Sequence, residues 1–215
     1  MTEILSETET ITITVSSRGR RLSNPITVDI PRATRPGEKA LNKYVIDAFS
    51  KKMPSLIPFT FANKTLLNRA KYLLRHKTGS HATLYQDIYG AYRFTQSIGI
   101  SPDELVERCK TKDGYQNRKE TEKLIKQIDE FIGDLQAENL AKSTINNYVK
   151  GVKALFRSNG LKLDLPFQTS KRVKYKDRAP TPEEVQKLIE IADIREKVII
   201  SILALTGMRI GTLVK

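Results

Sequence analysis

The chain has 215 residues, of which 39% are hydrophobic and 28% charged, a composition that predicts a folded, water-soluble protein and excludes an intrinsically disordered one. The longest apolar run, 198–205, is too short to span a bilayer, and the acidic N-terminus lacks a signal-peptide pattern, so we expect a cytoplasmic protein with no membrane association. The single cysteine, Cys109, excludes an internal disulfide bond, and we expect neither a metal nor a cofactor.

The formal net charge of +13 is concentrated in two segments of the chain. Residues 11–80 carry 14 cationic against 3 acidic side chains, and residues 118–178 carry 14 against 8. Concentrated positive charge favours a polyphosphate partner, because each neutralised phosphate releases a counterion. Charge alone leaves three partners open, namely DNA, RNA and an anionic membrane surface. A basic protein with no specific partner is the remaining alternative.

The N-terminal 37 residues predict a β-hairpin arm and a linker. Apolar and polar residues alternate at 11–16 and again at 26–30, with a basic, turn-rich stretch between them. Prolines and a glycine at 31–37 indicate the linker. A basic helical region follows at 38–79, and we predict its helices at 38–52 and 64–77. This region is either an additional DNA-binding arm or a packed N-terminal cap.

Residues 80–170 predict a separate helical domain. We expect its helices at 80–97, 101–109, 118–138 and 143–160, the last capped by Ser143. The first of these carries tyrosines at helical spacing, a pattern more typical of core packing than of base stacking. In the last two helices the apolar residues recur on one face, which predicts that this face is buried.

The outer face of the 143–160 helix is basic and contains no acid. Its polar residues, spaced i, i+4, i+7 and i+11, are Asn146, Lys150, Lys153 and Arg157. A solvated helix face usually mixes charges and gains i,i+4 ion pairs, so a face of one sign favours contact with phosphates. We therefore predict that the three cations contact the phosphates of a nucleic acid, and Asn146 on the same face is a candidate for contacting base edges.

A basic linker at 171–180 separates this domain from the last segment, 181–215. The linker has no helical periodicity, and its predicted DNA-contacting residues are Lys171, Arg172, Lys174, Lys176 and Arg178. Beyond it, Thr181 begins a capping box and a helix over 181–193. The next helix, 196–206, is apolar on nearly all sides and ends at Thr206-Gly207-Met208-Arg209.

The order of these parts resembles the amino-terminal portion of the tyrosine recombinase (phage integrase) family. The resemblance covers roughly residues 80–215, and its most characteristic stretch is 140–160. It implies a mainly α fold, in which a helical core-binding (SAM-like) bundle follows the small N-terminal hairpin. The first helices of an incomplete α+β catalytic domain come after it at 181–215. By the same resemblance Arg209 is the catalytic arginine that binds the scissile phosphate, since a guanidinium can hold two non-bridging oxygens.

The sequence departs from that family after Arg209. Thr212 stands where the family often has an acid, and the family's lysine, H-x-x-R box and tyrosine nucleophile are absent. We therefore expect a chain that acts in DNA integration and recombination by binding double-stranded DNA without cleaving it, as a fragment or the product of an interrupted gene. A second polypeptide supplying the rest of the catalytic domain, or self-association, would cover the apolar 196–206 helix.

Two other functions stay open. One is a free-standing, non-enzymatic DNA-binding protein that regulates recombination sites or transcription. The other is a helical protein-interaction module whose basic charge is incidental. The salt dependence of binding separates this last possibility from the two DNA-binding functions.

Overall fold

The structure is a computed structural model that describes residues 8–13, 16–17, 20–21, 26–167, 178–208 and 210–213. Within these residues the chain is mainly helical, with a small antiparallel hairpin near the N-terminus, as the sequence predicts. The chain divides into two compact units, Met1–Arg172 and Val173–Lys215.

The hairpin of the first unit is formed by β1 (Thr8–Ile13) and β4 (Ile26–Pro31), which pair antiparallel with Ile11 opposite Val28. Two short strands between them, β2 (Ser16–Ser17) and β3 (Arg20–Arg21), also pair. Because side chains alternate along a strand, Val28 and Ile30 lie on the same face of β4, and both are buried. The hairpin is therefore packed onto the helices through β4.

Helices make up the rest of the first unit. In chain order they are α1 (Pro36–Phe49), α2 (Leu56–Phe61), α3 (Lys64–His76), α4 (His81–Ile98), α5 (Pro102–Arg108), α6 (Arg118–Ala137) and α7 (Lys142–Ser158). Side chains of Ser80, Ser101 and Asn117 accept backbone N–H bonds at the starts of α4, α5 and α6.

The predicted cap of the 143–160 helix is wrong. The helix begins at Lys142, and the N-cap residue is Ala141, whose side chain makes no capping bond. The N–H groups of Thr144 and Ile145 already donate to the Ala141 carbonyl, so Ser143 lies inside the first turn.

One hydrophobic core joins all parts of this unit, from Val28 to Leu163. Described residues of the predicted segments 1–37, 38–79 and 80–170 all contribute to it. The apolar positions that helical spacing places inward on α6 and α7 are buried, except that Ile125 and Tyr148 are half-buried. The basic face of α7 is consequently the side turned away from this core.

Two glycines let α4 and α7 approach closely. A Cβ atom on Gly151 of α7 would lie 2.6 Å from the Asp87 carbonyl oxygen, and one on Gly90 of α4 would lie 2.7 Å from that of Tyr148. Neither position has room for a side chain, because the obstructing atoms are backbone. The two backbones are therefore in direct contact, and this contact fixes the orientation of α7.

The second unit contains α8 (Pro182–Ile191), α9 (Ile194–Thr206) and α10 (Ile210–Leu213). Thr181 and Glu184 form the predicted capping box, and Asp193 and Glu196 form another at the start of α9. None of the described residues of α8 and α9 is buried. On α9, Val198 and Leu205 are exposed, and the other apolar residues at 199–203 are half-buried.

Candidate nucleic-acid interface

Three cations of α7 lie on the surface that the sequence predicts for them. Lys150, Lys153 and Arg157 are exposed, and none of them forms an ion pair with the described part of the chain. Asn146 lies one helical turn before Lys150 and is half-buried. The three cationic groups are therefore accessible to an anionic partner.

These three cations form one side of a groove between α7 and α3. The groove has a volume of about 960 Å³. Its polar and aromatic lining residues are Arg69, Tyr72, Lys77, Thr78, Thr83, Lys150, Lys153, Arg157, Lys162 and Asp164. Six of these side chains are cationic and one is acidic, so the groove is strongly electropositive.

Ion pairs neutralise two of the six groove cations. Lys162 lies 2.8 Å from Asp164, and Arg69 lies 2.6 Å from Asp87 of α4. The other four are Lys77, Lys150, Lys153 and Arg157, which have no acidic partner among the residues described. Neighbouring unpaired cations repel one another and so lower the stability of the folded protein. A bound polyanion would relieve this repulsion.

The Arg69–Asp87 pair holds the α3 side of the groove in place. Both side chains are only 12% exposed, and the Arg69 Nε and Nη2 atoms donate to the same Asp87 oxygen. Burial raises the pKa of the Asp87 carboxyl, and the guanidinium opposes that effect. The same guanidinium lies 5.4 Å from the centre of the Tyr72 ring, so α4, Arg69 and Tyr72 are linked by direct contacts.

The sequence does not single out Arg69, Tyr72 and Lys77 as residues of this groove. Five cations without an acid in 64–77 were the available signal, but they are distributed around α3. The groove-lining cations differ from the others in lying beside α7, which is some 80 residues further along the chain. Helical periodicity predicts which face of α3 is buried, but it does not predict which helix packs beside α3.

Most of the predicted linker contacts lie outside the described residues. Lys171, Arg172, Lys174 and Lys176 fall in this group. Arg178 is described, and its guanidinium donates to Glu184, with Nη1 2.7 Å from a carboxylate oxygen. This bond raises the pKa of Arg178 and, together with the Thr181 backbone N–H, lowers that of Glu184. The charge of Arg178 is thus balanced locally within the second unit.

Arg209 also lies outside the described residues, but the turn that precedes it is described. Gly207 ends α9 in the left-handed conformation with φ 63°, and its N–H donates to the Leu203 carbonyl. The Met208 N–H donates to the Thr206 hydroxyl over 3.2 Å. The helix therefore ends at Thr206 and Gly207, as the sequence predicts.

The tyrosines of α4 pack against one another. The rings of Tyr85 and Tyr89 are stacked with centroids 5.8 Å apart, and Tyr89 also contacts Tyr92 and Tyr148. Lys52 lies over the Tyr85 ring. Since their faces are occupied by neighbouring side chains, these rings belong to the packing of the unit, as the sequence favours, and offer no open platform for bases.

A second, smaller cleft carries mixed charge. It has a volume of about 440 Å³, and its ionisable lining residues are Lys64, Asp103, Glu104, Glu107 and Lys110. Asp103 is already hydrogen-bonded to the start of α3. Opposite charges at close quarters give this cleft no preference for an anion, so the groove is the better candidate for binding.

Comparisons with known protein families, with curated proteins and with solved structures found no match for this chain. In the part of the chain that the structure describes, no helix is both long and apolar enough to cross a membrane.

Proposed function

We propose that this chain binds double-stranded DNA through α7 and the groove beside it, as the amino-terminal part of a tyrosine recombinase that acts in integration and recombination. The observation that carries the proposal is a set of three exposed cations on one helix face, Lys150, Lys153 and Arg157, which have no ion pair with the described residues. In this proposal α4–α7 are the core-binding (SAM-like) bundle, and α8 and α9 are the first helices of the α+β catalytic domain.

The spacing of the cations supports contact with a phosphate backbone. Lys150 and Arg157 are seven residues apart, which is about 10 Å along a helix axis. Three base-pair steps of a duplex cover a similar distance at about 3.4 Å each. Cations spread over this length can reach phosphates up to three steps apart on one strand, and each contact releases condensed counterions.

Asn146 and the linker extend the proposed interface. Asn146 lies on the same face of α7 as the cations, and a side-chain amide can pair with adenine in the major groove. The linker cations Lys171, Arg172, Lys174 and Lys176 would add phosphate contacts, with Arg178 free to join them only by releasing Glu184. Phosphate contacts position the protein, whereas Asn146 would supply sequence preference.

The second unit fits the proposal through α9. Its apolar residues are incompletely covered, and Leu205 is 86% exposed. A further polypeptide that supplies the rest of a catalytic domain, or a second copy of this chain, would bury them. Arg209, two residues after Gly207, would bind the scissile phosphate of the assembled site.

A salt titration tests DNA binding. The affinity of the full chain for a fluorescently labelled duplex is measured by anisotropy at several salt concentrations. Three phosphate contacts on α7 predict that log K falls with log salt with a slope of about −2.7 or steeper. Failure to bind the duplex, or a slope near zero, would contradict the proposal and leave a protein-interaction module as the better interpretation.

A further inference from the structure

The groove beside α7 has a second wall, formed by the end of α3 and the segment leading into α4. We infer that this wall binds the same DNA as α7, so that one sugar–phosphate strand of the duplex lies in the groove between Lys77 and the row Lys150, Lys153 and Arg157. The inference rests on the proposed DNA-binding function and extends the interface into the first 79 residues.

Lys77 has the properties that a phosphate contact requires. It lines the groove, it is exposed, and no acid pairs with it in the described part of the chain. Arg75 already places a cation in the last turn of α3, where it interacts favourably with the helix dipole. Stabilisation of the helix end therefore does not require a further cation at Lys77.

Two hydroxyl groups on the same wall can donate hydrogen bonds to phosphate oxygens. Thr78 and Thr83 both line the groove and both are exposed. Neither hydroxyl has a hydrogen-bond partner among the described residues, although the Thr83 N–H donates to Ser80. Neutral hydroxyl donors next to cations are common in contacts to the DNA backbone.

Tyr72 gives this wall a fixed surface between the cations. Its ring lies 5.4 Å from the Arg69 guanidinium carbon and 5.6 Å from the His76 ring. Arg69 is in turn held by Asp87, so the ring is anchored to two helices. A rigid, half-buried tyrosine suits contact with deoxyribose, because little side-chain freedom is lost on binding.

The size of the groove and the packing of its aromatic rings indicate a strand of a duplex. A volume of about 960 Å³ matches the pockets that hold small ligands, so it accommodates a few sugar–phosphate units. Single-strand binding surfaces instead stack unpaired bases on open aromatic faces. Among the described residues that line the groove, Tyr72 is the only aromatic side chain, and Arg69 lies over its ring, so the groove offers no such platform.

The test compares Lys77→Gln with Lys126→Gln in the full chain. Lys126 is an exposed cation on α6 with no ion pair in the described structure, so its substitution removes the same charge away from the groove. Affinity for a labelled duplex is measured over a range of salt concentrations, and circular dichroism establishes that each variant is folded. We expect Lys77→Gln to lower the magnitude of the salt slope by about 0.9, and Lys126→Gln to leave it unchanged.

Three outcomes would overturn the inference. A wild-type slope for Lys77→Gln, alongside normal duplex binding by the unmodified chain, would remove the α3 wall from the interface and leave the proposed function intact. Tighter binding of the corresponding single strand than of the duplex would contradict the assignment of the groove to duplex DNA. Absence of duplex binding by the unmodified chain would overturn the proposed function together with this inference.

Discussion

Asp103 shows how one side chain can determine where a distant helix begins. Its carboxylate accepts hydrogen bonds from the N–H groups of Lys64 and Thr65, at 2.9 and 2.8 Å, and from the Thr65 hydroxyl. Asn63 occupies the N-cap position of α3, but its side-chain amide donates to the Phe59 carbonyl instead. The first turn of α3, the helix that forms one wall of the groove, is thus stabilised by a residue of α5.

Removal of this carboxylate should destabilise the protein. We expect Asp103→Ala to lower the free energy of unfolding by about 1–2 kcal/mol, because two N–H groups at the start of α3 lose their acceptor. Asp129→Ala, at an exposed position on α6 with no hydrogen bond in the described structure, is the matched control and should change it by less than about 0.5 kcal/mol. Urea unfolding measures both, and equal stabilities of the two variants would refute the role of Asp103.

The contrast between caps shows what the sequence can predict at this scale. The caps Ser101 and Thr181 were predictable, because each lies directly before Pro and acidic residues that belong to the same helix. The Asp103 cap was not, since its partners lie 38 and 39 residues away. Ser143 was predicted wrongly because the Ala141 backbone alone is enough to begin α7.

At the scale of elements, the contact between α4 and α7 positions the proposed DNA-binding face. Gly90 and Gly151 each face the backbone of the other helix at a distance that a Cβ atom could not tolerate. With the two backbones in contact, α7 cannot rotate without losing this fit. Its inward residues stay in the core, and its cations stay in the groove.

We expect Gly151→Ala to destabilise the fold by about 1–3 kcal/mol, because the added methyl group forces the α4 and α7 backbones apart. This effect should outweigh the gain of about 1 kcal/mol that alanine brings to a helix interior. Gly133→Ala on α6 is the control, since a Cβ atom there meets nothing within 4 Å, and it should stabilise the protein by up to about 1 kcal/mol. Thermal unfolding distinguishes the two variants. Stabilisation by Gly151→Ala would contradict the claim that the α4 and α7 backbones are too close to admit a methyl group.

Most of the helices could be predicted from periodicity, but α2 could not. Its sequence contains Pro58, which normally argues against a helix. In the structure Pro58 lies in the first turn of a helix that begins at Leu56, where no N–H donor is required. Leu56, Ile57 and Phe61 are buried there, so tertiary packing stabilises a short helix that local sequence does not indicate.

At the scale of the whole molecule, the two units differ in how well their helices are buried. The first has a core that runs from the hairpin to the residues after α7, whereas α8 and α9 contain no buried residue among those described. The sequence of α9 shows that it needs cover on nearly all sides. The sequence does not show which residues bury these side chains, because periodicity identifies the apolar positions of a helix and not the residues that pack on them.

Hydrogen exchange should therefore be much faster in α9 than in α7. Helices without buried side chains open at little free-energy cost, while those in the core open only with the unit as a whole. Mass spectrometry of peptides covering 196–206 and 145–156 in the same sample provides the comparison. Equal protection of the two peptides in a monomeric sample would contradict the incomplete cover of α9.

The salt dependence of a triple variant tests the central claim, that α7 binds the DNA backbone. The α7 variant combines Lys150→Gln, Lys153→Gln and Arg157→Gln. The α6 variant, used for comparison, has Lys119, Lys123 and Lys126 changed to Gln. Both variants lose three charges, so an effect of net charge alone would be the same in each. We predict that the α7 variant lowers the magnitude of the log K against log salt slope for duplex DNA by about 2.7, whereas the α6 variant keeps the wild-type slope. Equal slopes for the two variants would contradict the assignment of α7 as the DNA-binding face.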